Sequence, residues 1–89
     1  MRRFDHLADV EAFITVMDRG SMTAGAVALG TTPSVLSRAI TRLETKLGTQ
    51  LMRRTTRRIS LTEAGRTYLE QVRSAFETID QAEIGRAHV

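Results

Sequence analysis

In TTPSVLSRAITRLE, residues 31–44, the groups able to do chemistry are hydroxyls and guanidinium groups: Thr32, Ser34, Ser37, Arg38, Thr41 and Arg42. Leu36, Ala39, Ile40 and Leu43 recur among them at helical spacing. Folded as a helix, the stretch turns Ser34, Arg38 and Thr41 away from that apolar stripe, with Ser37 and Arg42 flanking the open side and Glu44 off it. Further along, RRTTRR sets Arg53, Arg54, Arg57 and Arg58 around Thr55 and Thr56. No base or metal ligand lies among these groups in the sequence, and Glu44 is the lone acid. What they do well is donate hydrogen bonds and neutralise a polyanion. The major groove of B-form DNA admits an α-helix and shows each base pair as a pattern of donors and acceptors. An open face with short polar groups and arginines, and no carboxylate to repel phosphate, suits it. Ser, Thr and Arg on one helix face are more often plain solvated surface. The four arginines shift the balance, because at one hairpin tip they repel one another and stabilise no fold. Reach to phosphate or to a minor groove accounts for them.

The charge of the chain follows the same window. Residues 38–58 carry Arg38, Arg42, Lys46, Arg53, Arg54, Arg57 and Arg58 against Glu44 alone, a net +6, within 89 residues whose formal total is +3. Before it, Arg2, Arg3 and Arg19 face Asp5, Asp9, Glu11 and Asp18; after it, Arg66, Arg73 and Arg86 face Glu63, Glu70, Glu77, Asp80 and Glu83. A basic patch between acidic flanks calls for a polyanionic partner. There is no cysteine, and the two histidines, His6 and His88, lie at opposite ends. No disulfide, thiolate or histidine-pair metal site is therefore expected, and no cofactor. Ser21, Ser37 and His6 are conceivable nucleophile and base, but nothing places them together, and Glu63 and Glu70 read as helix surface. We expect no enzyme. No apolar run reaches bilayer length and the N-terminus has no signal core, which reads as a cytoplasmic protein without membrane contact.

The elements that must hold these groups are mostly helical. LADVEAFITVMDRG places Leu7, Val10, Phe13, Ile14 and Met17 on one side, with Asp5 available as a cap and Gly20 as a stop. SMTAGAVALG is a second, short helix, capped by Ser21 or Thr23 and closed by Gly30; Gly25 between alanines implies that another helix crosses closely there. Thr32 and Pro33 open the third, Leu36, Ile40, Leu43 and Leu47 form its buried stripe, and Gly48 stops it. So short a link between the second and third helices is a helix-turn-helix signature. Gln50–Arg53 and Arg58–Leu61 have strand character around a polar turn, a wing. From Thr62 as cap, a last helix carries Tyr68, Leu69, Val72, Ala75, Phe76 and Ile79 at spacings of three and four; its far half exceeds what the small domain can cover and calls for a second chain. The final IGRAHV departs from that pattern. A widely used sequencing adapter encodes the same six residues in one frame, so residues 84–89 are read as a non-native tail; resequencing that found further coding sequence after them would remove this reading.

As an assembly, LADVEAF, GSMTAGAVALG, TPSVLSRAITRLETKLGTQLMRRTTRRISLTEAG and the long helix after them resemble the N-terminal DNA-binding domain of LysR-type transcriptional regulators, over about Phe4 to Glu83. The resemblance implies a mainly α winged helix-turn-helix, a three-helix core plus a two-stranded wing, over residues 1–61, with the motif at about 21–40 and the wing at about 50–61. It implies that residues 62–84 form a linker and dimerisation helix, antiparallel to its equivalent in a second copy. Carried over by position, Thr32, Pro33, Ser34, Ser37, Arg38, Arg54 and Arg57 touch DNA. Many members have Gln where this chain has Pro33, which cannot read a base by hydrogen bond, so the contact shifts toward Ser34 and Arg38. A ligand-sensing effector domain, which members carry after the linker helix, is absent from these residues.

The combined expectation is a sequence-specific regulator that binds an inverted-repeat site on double-stranded DNA as a homodimer. Ser34, Ser37 and Arg38 read bases, Thr41 lies on the same DNA-binding side, Arg54 and Arg57 hold phosphate or minor groove, and Arg42, Arg53 and Arg58 add charge. Tyr68, Leu69, Val72, Ala75, Phe76 and Ile79 form the dimer contact. The competing reading is a winged-helix protein-interaction module without sequence-specific DNA binding. An RNA reader fits less well, since Phe4, Phe13 and Phe76 all sit at core spacing.

Overall fold

The computed structural model describes residues 6–55 and 58–87. Four helices and one ribbon follow in the order α1 (Leu7–Arg19), α2 (Met22–Leu29), α3 (Pro33–Leu47), β1 (Met52–Arg54), β2 (Ile59–Leu61) and α4 (Glu63–Ala87).

Each of the first three helices ends on a left-handed glycine, Gly20, Gly30 and Gly48, whose positive φ other residues adopt only with strain. Ser21 caps α2 by accepting from the Ala24 amide at 3.0 Å, and Thr32 caps α3 by accepting from the Val35 amide at 3.2 Å. The Asp5 cap expected for α1 lies outside the described residues; the cap position is His6, whose side chain makes no capping bond. Gly25 is explained by crowding. A Cβ there would stand 2.9 Å from Val16 Cγ2 and 3.3 Å from Leu36 Cδ1, so the bare backbone is where α1 and α3 both close on α2.

The core is built from Val10, Ala12, Phe13 and Val16 of α1, Ala26 of α2, Leu36, Ala39, Ile40 and Leu43 of α3, then Leu51, Met52 and Leu69. Leu47 is not in it: at 39% exposure it sits on the last, outward-turning residue of α3. The fully buried Leu51, after the Gly48 turn, belongs to the core instead.

The wing is a two-stranded antiparallel ribbon pairing Met52 with Leu61, Arg53 with Ser60 and Arg54 with Ile59. Its strands are shorter and sit later than the expected Gln50–Arg53. The amides of Leu51 and of Met52, the first paired residue, go instead to the Glu44 carboxylate, at 2.8 and 3.3 Å.

At the other end of the ribbon, Thr62 accepts from the Gly65 amide at 2.9 Å and donates its hydroxyl to the Gln50 carbonyl at 2.7 Å. The Thr62 amide donates to the Leu51 carbonyl at 3.0 Å. A Cβ on Gly65 would fall 1.8 Å from that same carbonyl oxygen, which only glycine allows.

The helix α4 runs to Ala87, three residues past the expected 62–84, since each added bond in a formed helix fixes only one further residue. Its first turns are also part of the chain's own core. Leu69 is 7% exposed, and Tyr68, half-buried, packs against Phe13 with ring centroids 6.0 Å apart. Burial of that phenol raises its pKa. Val72 and Phe76 also lean on the core, and Arg73 pairs with Asp18 of α1.

Candidate nucleic-acid interface

The open face of α3 is as the helical spacing requires. Thr32, Pro33, Ser34, Arg38, Thr41 and Arg42 are exposed and Ser37 is half-buried. Val35, 42% exposed, adds an apolar group that the sequence reading passed over. Thr32 and Pro33 hold the start of the helix, one as cap and one at the first helical position, so Ser34 and Arg38 project from its first two turns.

Two flanks of α3 are tied down by acids far apart in sequence. Arg42 donates from Nε and Nη2 to the two carboxylate oxygens of Asp9, at 3.1 and 2.9 Å. This fork, by hydrogen bond first and by charge second, raises the Arg42 pKa further above its ordinary value. A carboxylate from α1, 33 positions away, thus sits beside Arg42, whose side chain stays 62% exposed. On the opposite flank Glu44 faces backbone. Seven residues from Ser37 and so on the same side of the helix, it accepts the two amides that open the wing. It is the lone acid of the basic window.

The wing lies along that same flank. Successive strand residues alternate faces, so Arg54 shares the side of buried Met52 and turns toward α3, while Arg53 turns away. Arg54 Nη1 donates to Ser37 Oγ at 2.5 Å, joining wing and helix into one surface. Arg53 and Arg58 are exposed. The turn is closed by the Thr55 amide donating to the Arg58 carbonyl at 2.9 Å, and Thr55 Oγ1 accepts from the Arg58 amide at 3.0 Å. Arg57 lies outside the described residues. Among the described residues no three His, Cys, Asp or Glu side chains are placed to hold a metal ion, and no helix is long and apolar enough to cross a membrane.

A three-helix core, a two-stranded ribbon set along the third helix and a long trailing helix define a winged helix-turn-helix. The family described as "Bacterial regulatory helix-turn-helix protein, lysR family" matches residues 7–66, and the chain belongs to it. It is 40% identical over 76 residues to the probable HTH-type transcriptional regulator LtrA of Klebsiella pneumoniae, covering 85% of this chain and 25% of that protein. It is 43% identical over 77 residues to an HTH-type transcriptional regulator of Xanthomonas campestris, covering 86% and 22%. The chain thus spans about a quarter of the length of these relatives. Among solved structures, a complex of the CbnR DNA-binding domain with DNA superposes with a TM-score of 0.80 at 33% identity, over 90% of this chain and 93% of that one. The BenM DNA-binding domain on its benA site 1 DNA gives 0.85 at 28%, over 92% of each.

Proposed function

We propose that this chain is the DNA-binding part of a transcription regulator, reading an inverted-repeat site as a homodimer. The observation that carries the reading is the Arg54–Ser37 bridge, because it makes the hydroxyl and guanidinium face of α3 continuous with the basic wing. Glu44, the acid within that region, is meanwhile spent on backbone amides. Ser34, Ser37, Arg38 and Thr41 lie in the groove, Thr32 and Pro33 approach the backbone, and Arg53, Arg57 and Arg58 neutralise phosphate. The likeness to two domains solved with DNA supports this placement.

The homodimer is supported by the far half of α4. Leu7 and Val10 of α1, with Val72, Ala75, Phe76 and Ile79 of α4, line a wholly apolar groove of about 300 Å³, and Ile79 remains 48% exposed. A second copy of the helix fits such a stripe. Effector sensing belongs to a part of a longer protein beyond these residues.

Binding-site selection from random DNA tests the reading. Arg38→Ala lowers preference for the selected site by about 1–3 kcal/mol if Arg38 makes a bidentate base contact, whereas Arg53→Ala weakens all sequences alike and flattens the salt dependence. Affinity that barely changes between low and moderate salt would instead mark a protein-interaction module.

A further inference from the structure

The Ser37–Arg54 pair also bears on which base the interface reads. A serine hydroxyl has one hydrogen to donate and two lone pairs with which to accept. In this structure one lone pair of Ser37 Oγ receives Arg54 Nη1. The second lone pair then lies beside a cation, which disfavours the approach of another N–H donor. The hydroxyl hydrogen must turn away from the guanidinium, and the guanidinium itself keeps further N–H groups to donate. Both partners are held from behind. Glu44, on the Ser37 flank of α3, fixes the amides of Leu51 and Met52, and strand alternation from Met52 then aims Arg54 at the helix.

Resting on the regulator reading above, we infer that Ser37 and Arg54 act as one donor–donor unit that selects a guanine in the major groove. Guanine presents two acceptors there, N7 and O6. Adenine pairs an acceptor with an amino group, cytosine shows an amino group, and thymine a single acceptor beside a methyl. Arg54 is on this account a base-selecting residue of the wing and not a phosphate anchor, and it sets the direction in which Ser37 donates.

The experiment is binding-site selection by the 89-residue chain and by S37A, R54A, R54K and the S37A/R54A double variant, followed by affinities on the selected duplex with 7-deazaguanine at the chosen guanine. The wild-type chain is expected to enrich one guanine per half-site. S37A and R54A each reduce preference for that guanine by about tenfold. The double variant reduces it no further, R54K restores salt dependence without restoring the preference, and 7-deazaguanine costs the wild-type chain affinity but not R54A. If R54A weakens all sequences equally and keeps every base preference, or if S37A and R54A alter different positions, the pair is not a unit and the inference is overturned. A wild-type chain that enriches no sequence at all overturns the regulator reading, and this inference with it.

Discussion

At the scale of single residues, much of the molecule turns on which atoms a side chain leaves room for. Gly65 shows this most sharply. The sequence displays it inside a helix, where glycine costs about 1 kcal/mol relative to alanine, and offers no reason for it. The reason is the Leu51 carbonyl, which would lie 1.8 Å from any Cβ. Gly65→Ala is therefore expected to destabilise the chain by about 3 kcal/mol or more despite its better helix propensity, read as a fall in the urea midpoint. The opposite result, a more stable variant, would mean the start of α4 is free to move off the wing. The exposure of Ser34, Arg38 and Thr41 along α3 was legible from spacing alone. The pairing of Arg42 was not, because no local pattern announces that Asp9 lies across from it.

At the scale of elements, the wing depends on one carboxylate. Glu44 accepts two amides at the entry to β1, both on fully or almost fully buried residues, and its loss leaves those donors without this partner. Glu44→Ala is expected to cost about 1–3 kcal/mol in denaturant unfolding, and Glu44→Gln, which keeps an oxygen in reach, less. Equal effects of the two substitutions would show that charge, not hydrogen bonding, holds the ribbon. Helix caps, stops and stripes were readable because they are written within a few residues: Ser21 and Thr32 as caps, and Gly20, Gly30 and Gly48 as stops. The strand limits were shifted because the Glu44 carboxylate, seven and eight residues earlier on α3, takes the amides at the entry to β1. Leu47 and Leu51 exchanged roles because helical periodicity cannot see that the chain turns back into the core after Gly48.

At the scale of the whole molecule, the chain is elongated, about 48 × 27 × 25 Å, because α4 outruns the core it starts from. One face of its near half packs on the core, and its far half carries the apolar groove beside Ile79. The sequence showed one continuous stripe over both halves, and only the packing of Tyr68 and Leu69 on α1 and the wing divides it. Ile79→Glu is expected to shift the chain toward monomer in sedimentation while leaving its helical content intact. It should weaken binding to the inverted repeat far more than to a single half-site. Unchanged sedimentation would place self-association elsewhere.

Leu51 is the peptide at which these scales meet, since its amide is held by α3 and its carbonyl by the start of α4. The helix that reads and the helix that protrudes are thereby geared to a single unit of backbone, with no slack between them. One residue inserted in α4 after Phe76, past its core contacts, would turn everything beyond it through about 100° and advance it about 1.5 Å. In the proposed homodimer this shaft would act as a ruler, its phase setting how many base pairs separate the two bites on the duplex.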